Sequence, residues 1–148
     1  DYFKCREYLS GFTGSAGTLA VTQDAAALWT DGRYFLQAEA QLAGSGITLM
    51  REGIDGVPKL PAWLKAHLPA EGAGRTVGFD GRVVDLKLGR ELAASFPLRW
   101  ELDLSDQVWA QRPPLVASAS PATSRANSIT ETCIPRQIPR YGMSFSRA

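Results

Sequence analysis

The chain has 148 residues, of which 45% are hydrophobic, and a formal net charge of +1. This length and apolar content suit one domain with a single core. The balanced charge gives no reason to invoke nucleic acid or an anionic membrane as a partner. No apolar run reaches the roughly 20 residues that span a bilayer. Cys5 and Cys133 lack metal-site spacing, and no export signal is visible, so we expect a cytoplasmic protein with free thiols; a disulfide between them stays open.

The most densely patterned segment comprises residues 8–42. Glycines recur three apart in GFTGSAG, residues 11–17, which predicts a sharp turn or a close approach of the backbone to a neighbour. Their spacing fits neither GxGxxG nor the P-loop, so a structural turn is favoured over an anion-binding nest. Residues 17–22 and 25–30 then predict two short strands joined as a hairpin.

A turn and a helix follow the predicted hairpin. Asp31-Gly32 ends the second strand, and the Asp31 carboxylate is placed to accept hydrogen bonds from the first amides of a helix. In residues 34–42 apolar side chains recur at i, i+3 and i+7, which predicts one buried helical face. Gly44 is placed to end that helix.

Strands and helices alternate through the rest of the patterned sequence. Strands are predicted at residues 47–51, 76–79 and 98–102, and helices at residues 60–68 and 84–96. In the last strand Leu98 and Trp100 fall on the inward side. Because helical connections favour parallel strands, we predict an α/β fold with a mixed, partly parallel sheet flanked by helices.

The segment of residues 113–148 has a different composition. It is rich in Pro, Ser, Thr and Ala, holds four Arg against one Glu, and shows no sustained periodicity. Such a segment buries little apolar surface, so we predict a linker or disordered tail after a domain of residues 1–112. An out-of-frame or otherwise aberrant extension is our hypothesis for its origin, and a genuine, poorly ordered tail is the alternative.

Two runs carry a family resemblance. GFTGSAGTLAVT, followed by AALWTDGRYFLQAEAQL, is similar to the amino-terminal, non-catalytic domain of Xaa-Pro aminopeptidases (aminopeptidase P), in the creatinase and prolidase superfamily. The resemblance continues more sparsely to SDQVWAQRPP, near Arg112. It implies the same mixed sheet with flanking helices, truncated at its start because the family's first helix and strand precede Tyr2. The strand beside the missing one is then expected to leave an edge unpaired.

The resemblance also implies a function. Such a domain belongs to a metal-dependent enzyme that removes the first residue from peptides with proline second, and it shapes the substrate cleft and supports dimerisation. Its partners would be a carboxyl-terminal metallopeptidase domain, a proline-containing peptide and a second copy. Divalent metal, Mn or Zn, would be held in that other domain, so we expect no cofactor, metal ligand, catalytic residue or peptidase activity in this chain alone. A stand-alone binding or regulatory module, or the amino-terminal domain of a prolidase- or creatinase-like enzyme, are the alternatives.

Arg33 is the candidate substrate-binding residue. It follows Asp31 at a strand-to-helix turn, a position from which a guanidinium reaches a carboxylate or a peptide carbonyl. The resemblance implies that Arg33 faces the substrate cleft, and the alternative is a local ion pair with Asp31 that braces the turn. Trp29 and Tyr34 favour packing over substrate stacking.

The other titratable residues form no recognisable site in the sequence. His67, the single histidine, falls in the last turn of a predicted helix, where a surface imidazole is favourably placed against the helix dipole. Asp80, Asp85 and Glu91 are scattered between a loop and a helix, with no histidine nearby to complete a metal or acid–base site.

Overall fold

The computed structural model describes residues 2–100, 104–114 and 133–134. Its helices are α1 (Cys5–Ser10), α2 (Phe35–Leu42), α3 (Leu60–His67), α4 (Leu86–Ala93) and α5 (Leu104–Val108). Its strands are β1 (Thr18–Val21), β2 (Ala26–Thr30), β3 (Ile47–Arg51), β4 (Val77–Gly78), β5 (Leu98–Arg99) and β6 (Cys133–Ile134). No helix in this described part of the chain is long and apolar enough to cross a membrane.

The strands form two sheets. The larger has the order β3-β2-β1-β6 and contains the predicted antiparallel hairpin of β1 and β2. Strand β2 pairs with β3 in parallel, and β4 pairs with β5 in parallel in a second sheet of two strands. Helix α2 connects the first parallel pair and α4 the second, as parallel pairing requires. The predicted mixed, partly parallel α/β fold is therefore confirmed.

The sheet is buried on both sides. Alternate residues of the hairpin point to opposite faces, so Leu19 and Leu28 belong to one cluster and Ala27 and Trp29 to another. The first cluster packs against α2. The second packs against α3, β4 and α4. Helices thus flank the larger sheet on both faces.

Two helices were missed because they are too short for a periodic pattern. Helix α1 has six residues and α5 has five, and isolated helices of that length are unstable in water. Helix α1 buries Cys5, which is a thiol and not half of a disulfide.

Helix α4 and strand β5 are shorter than predicted. Asp85 caps α4 by accepting a hydrogen bond from the Leu88 amide at 2.8 Å, so the helix begins only at Leu86. We expected Trp100 to face inward in β5, but the strand ends at Arg99 and Trp100 is 63% exposed. The prediction was wrong because the pairing of β5 with β4 ends at Arg99, opposite Gly78, one residue before Trp100.

Strand β6 lies in the segment for which the sequence predicts no regular structure. Cys133 and Ile134 pair in parallel with Leu19 and Ala20 of β1. The rest of the segment beyond Pro114 lies outside the described residues, so the predicted tail stays a prediction.

Candidate functional site

The turn that carries Arg33 lies at the carboxyl end of β2. Asp31 Oδ1 accepts hydrogen bonds from the Arg33 amide at 3.0 Å and from its Nε at 2.9 Å, and Oδ2 pairs with Nη2 at 2.7 Å. The cap predicted for Asp31 is therefore present, although it begins a 3-10 turn that leads into α2. The side-chain hydrogen bond from Arg33 lowers the pKa of Asp31, and the same bond raises the pKa of Arg33. Both side chains are charged at neutral pH.

The local ion pair does not bury Arg33. Its side chain is 70% exposed, while that of Asp31 is 35% exposed. The pairing that was the alternative explanation for Arg33 is thus formed, yet the guanidinium is open to an incoming ligand. A guanidinium has five donors, and those not used by Asp31 can reach a carboxylate or a carbonyl oxygen.

The same tripeptide, Asp-Gly-Arg, recurs at Asp80 to Arg82 after β4. Asp80 Oδ1 accepts from the Arg82 amide at 3.0 Å and from Nε at 2.9 Å, and Oδ2 pairs with Nη2 at 2.6 Å. The hydrogen bonds match those of the first turn, but the Asp80 side chain is 0% exposed. The repeat is visible in the sequence, whereas the burial of its second copy is not.

A buried ion cluster surrounds this second turn. The Arg112 side chain is 3% exposed, and its Nη1 lies 3.5 Å from Asp80 Oδ2 and 3.1 Å from Asp106 Oδ1. Its Nε donates to the Tyr2 carbonyl oxygen at 2.7 Å, and its guanidinium stacks over the Tyr2 ring. Burial acts to raise the pKa of Asp80, but the hydrogen bonds from Arg82 and the charge of Arg112 hold it below its usual value. The cluster ties the two ends of the domain together.

Arg6 of helix α1 holds the glycine-rich loop, residues 11–17, from the inside. Arg6 is 2% exposed, its Nη1 donates to the Gly17 carbonyl oxygen at 2.6 Å, and its Nη2 donates to the Gly14 carbonyl oxygen. Its guanidinium also lies 5.4 Å from the Phe12 ring centroid. This geometry agrees with the favoured interpretation of a structural turn.

The glycine-rich loop in turn contacts the residues on both sides of Arg33. Thr30 Oγ1 donates to the Ala16 carbonyl oxygen at 2.7 Å, and the hydroxyl oxygens of Ser15 and Tyr34 are 2.6 Å apart. The loop therefore fixes the start and the end of the turn. Sequence reasoning singled out the loop and the turn but not their contact.

Gly14→Ala tests the close packing inside the loop. A Cβ at Gly14 would lie 2.2 Å from Cζ of Phe12, whose ring is fully buried. We expect the substitution to lower the free energy of unfolding by about 1–3 kcal/mol, as overpacking does. Gly89→Ala is the matched control, because it lies within α4 and its Cβ would meet nothing within 4 Å.

Urea unfolding monitored by tryptophan fluorescence gives both values. Gly89→Ala should be neutral or stabilising, by up to about 1 kcal/mol, since it removes a helical glycine. Equal effects of the two substitutions would contradict the packing argument.

A cleft of about 820 Å³ opens at the same end of the larger sheet as Arg33. Its lining comes from the start of β1, from Trp29, from residues 52–61 after β3 and from the first turns of α4. Trp29 is 3% exposed and its Nε1 donates to the Pro58 carbonyl oxygen at 2.8 Å, so it packs in the core as predicted. The charged side chains of the lining are Glu52, Asp55, Asp85, Glu91, Lys59 and Lys87.

The described residues do not fit a divalent metal. In those residues no group of three or more His, Cys, Asp and Glu side chains is placed to hold one. His67 is exposed in the last turn of α3, as predicted, where its ring stacks on Trp63 and its Nδ1 lies 2.8 Å from the Trp63 carbonyl oxygen. The Asp80 carboxylate is part of the buried ion cluster, and the Asp85 carboxylate caps α4.

The hairpin, the Asp-Gly-Arg turn and the helix behind it, on a mixed sheet flanked by helices, define an α/β domain of the kind that precedes the catalytic part of creatinase- and prolidase-type enzymes. The chain belongs to the Creatinase/Prolidase N-terminal domain family, which matches residues 4–113. The resemblance seen in the sequence is thereby confirmed.

Similar curated proteins include Xaa-Pro aminopeptidases. The chain is 44% identical over 116 residues to Aminopeptidase P2 of Arabidopsis thaliana, and 38% identical over 115 residues to Xaa-Pro aminopeptidase ApepP of Drosophila melanogaster. Each match covers 74% of this chain, but 16% of the plant protein and 18% of the insect protein. The chain therefore spans less than a fifth of the length of these relatives.

A solved structure shows the same fold. The X-prolyl aminopeptidase of Caenorhabditis elegans, described as a cytosolic enzyme with a di-nuclear active site, superposes with a TM-score of 0.63 at 33% sequence identity. The match covers 76% of this chain and 19% of that chain.

Proposed function

We propose that this domain is the non-catalytic amino-terminal part of an Xaa-Pro aminopeptidase that releases the first residue from peptides with proline second. The observation that carries the proposal is the match of residues 4–113 to the family domain, together with 44% identity to a plant aminopeptidase P. In this enzyme the domain shapes the substrate cleft, and the rest of the polypeptide performs the hydrolysis.

Arg33 contributes the substrate contact in this proposal. The Arg33 side chain is 70% exposed at the carboxyl end of β2, and the bidentate pair with Asp31 fixes the direction of its guanidinium. A charge-assisted hydrogen bond from such an arginine to a peptide carboxylate or carbonyl contributes about 1.5–3 kcal/mol. Asp31 is then a positioning residue, because its two hydrogen bonds fix the orientation of the Arg33 guanidinium.

The proposal also covers the metal, the cellular location and the oligomeric state of the enzyme. Support comes from the nematode enzyme, which is described as cytosolic and di-nuclear. We place divalent metal, Mn or Zn, outside the described residues, and the whole protein in the cytoplasm as a homodimer. The isolated 148-residue chain should release no first residue from an X-Pro peptide, with or without added Mn²⁺ or Zn²⁺.

A chimera tests the proposal. Residues 4–113 replace the matched region of the Arabidopsis enzyme, and kcat and KM are measured on an X-Pro tripeptide. Arg33→Ala should lower kcat/KM by about ten- to a hundredfold, the equivalent of one charge-assisted hydrogen bond, without lowering Tm. Arg51→Ala is the control, since that side chain is 45% exposed and pairs with Glu39 at 3.1 Å.

Three outcomes are informative. A folded chimera without peptidase activity would refute the proposed function. An active chimera in which Arg33→Ala lowers Tm but not kcat/KM would assign Arg33 to bracing the turn. Equal losses of activity in the Arg33 and Arg51 variants would show that a general loss of surface charge is responsible.

A further inference from the structure

The Arg33 guanidinium is held along its edge and over its face. Its edge pairs with the Asp31 carboxylate, with Nε 2.9 Å from Oδ1 and Nη2 2.7 Å from Oδ2. Its Cζ also lies over the Tyr34 ring, 5.3 Å from the ring centroid, which is within the range of a cation–π interaction. An exposed ion pair alone is a weak restraint, because water and salt screen it and two side chains must be ordered to form it. The tyrosine ring adds a restraint that does not depend on the carboxylate.

The Tyr34 side chain is itself anchored by two contacts. Its hydroxyl oxygen lies 2.6 Å from that of Ser15 in the glycine-rich loop. Its ring packs edge to face on the ring of Phe12, with centroids 6.0 Å apart, and Phe12 is fully buried. The buried guanidinium of Arg6 lies 5.4 Å from the Phe12 centroid, so the contacts run from the interior of the domain to its surface. A ring anchored in this way presents a fixed face to Arg33.

The second Asp-Gly-Arg turn has the same arrangement. The edge of the Arg82 guanidinium pairs with Asp80, and its Cζ lies 4.9 Å from the centroid of the Tyr2 ring. That tyrosine is distant in the sequence, whereas Tyr34 directly follows Arg33. The two turns thus obtain a carboxylate at the edge and a tyrosine ring at the face from different parts of the chain. The recurrence indicates that the ring is a regular part of the restraint and not a consequence of two residues being adjacent.

Restraint before binding increases the affinity that an arginine can provide. A freely rotating arginine side chain loses rotamer freedom when it contacts a ligand, and this loss weakens binding. Where the side chain is already ordered in the unbound protein, the loss occurs on folding and not on binding. Arg33 combines a 70% exposed side chain with contacts along its edge and over its face. Its guanidinium is therefore both accessible to a ligand and preorganised for it.

We propose that Tyr34, anchored by Ser15, is a positioning residue that fixes the Arg33 guanidinium in the orientation in which it contacts the peptide. This inference rests on the proposed function, since the contact between Arg33 and the peptide is part of it. Tyr34 acts on the reaction through the arginine and not by touching the peptide. Removing the ring leaves the charge of Arg33 and its pair with Asp31 in place, but the guanidinium then samples several orientations.

NMR relaxation of the Arg33 Nε–H group tests the restraint in the 148-residue chain. Tyr34→Leu removes the ring, Tyr34→Phe keeps the ring without its hydroxyl, and Ser15→Ala removes the partner of that hydroxyl. The order parameter of Arg33 Nε–H should be about 0.8 in the wild type, fall below about 0.6 in Tyr34→Leu, and take intermediate values in the other two variants. Arg51 Nε–H is the internal control, since that guanidinium lies over the Phe35 ring and its order parameter should not change.

The chimera with the Arabidopsis enzyme tests the effect on the reaction. Tyr34→Leu should lower kcat/KM by about two- to fivefold, the equivalent of one exposed cation–π interaction, and Tyr34→Phe should lower it less. In an Arg33→Ala background Tyr34→Leu should lower kcat/KM no further, because the tyrosine acts through the arginine. Tyr8→Leu is the control and should leave kcat/KM unchanged, since Tyr8 is also an exposed tyrosine but its ring stacks on Trp109.

The outcomes separate this inference from the proposed function. An unchanged Arg33 order parameter in Tyr34→Leu would overturn the positioning role even if the chimera is active. An equal loss of kcat/KM with and without the Arg33 guanidinium would also overturn it, because Tyr34 would then act by another route. A folded, inactive chimera, with an order parameter that falls in Tyr34→Leu, would refute the proposed function and leave the restraint on Arg33 standing. If Tyr34→Leu does not fold, Ser15→Ala decides the matter, and an unchanged order parameter there refutes the proposal.

Discussion

Asp80→Asn is expected to lower the free energy of unfolding by about 3–5 kcal/mol, which is the usual loss when one partner of a buried ion pair is removed. The substitution keeps the side-chain volume and an oxygen that can accept from the Arg82 amide. It leaves Arg82 and Arg112 without their shared carboxylate, and the Arg112 side chain is only 3% exposed. A domain of this size is stabilised by about 5–15 kcal/mol, so a large fraction of its stability would be lost.

The first Asp-Gly-Arg turn provides the matched control. Asp31→Asn removes the same charge from the same set of hydrogen bonds, but in a turn whose arginine is 70% exposed. The free energy of unfolding, measured in urea at pH 7, should change far less than in the buried copy. If both variants are equally destabilised, the buried cluster does not have the energetic role assigned to it.

Acidification should reproduce the effect of Asp80→Asn. The folded-state pKa of Asp80 lies below its usual value, so its stabilising contribution is complete above the unfolded pKa, about 3.9, and is lost as the pH falls through the lower, folded value. The stability difference between the wild type and Asp80→Asn should therefore be constant near neutral pH and shrink below about pH 4. A difference that instead shrinks on raising the pH would contradict this sign.

Arg6→Met is expected to have the second large effect. Methionine keeps the apolar stem, but the carbonyl oxygens of Gly14 and Gly17 lose the guanidinium that binds both. A hydrogen bond to a charged group contributes about 1.5–3 kcal/mol, so the loss of two should destabilise the domain by about 3 kcal/mol or more. Arg51→Met, at an exposed arginine, is the control and should change stability little.

Arg6→Lys separates charge from geometry. An ammonium is a point charge and does not reach two carbonyl oxygens as a planar fork does, so the lysine variant should recover only part of the lost stability. Hydrogen exchange at the amides of Gly14 to Gly17 should rise in both variants if the guanidinium organises the loop. Unchanged exchange in Arg6→Met would show that the loop holds its shape without Arg6.

The local sequence pattern was sufficient to predict the elements that position the candidate site. The hairpin, the cap at Asp31 and strand β3 each depend on residues close in the sequence, and the structure confirms all three. Trp100 was misplaced because the end of a strand is set by its neighbour, and alternation in one strand contains no information on where the neighbour stops.

The contacts that organise the site could not be predicted from local pattern. Arg112 and Tyr2 are 110 positions apart, and no periodicity links two such residues. Arg6 lies in a six-residue helix that gives no helical signal by itself, so its role depends on the tertiary packing that forms the helix. The repeated Asp-Gly-Arg tripeptide is visible in the sequence. The exposure of its first copy and the burial of its second copy could not be predicted from the sequence.

The two Asp-Gly-Arg turns allow the same ion pair to be measured in two surroundings. In each turn the aspartate accepts the same three hydrogen bonds from its own arginine, although Asp80 also faces Arg112. One molecule thus contains the same carboxylate–guanidinium pair in a high and in a low local dielectric. Double-mutant cycles on Asp31 with Arg33 and on Asp80 with Arg82 would compare their coupling energies within a single fold, with Arg112 retained in both cycles.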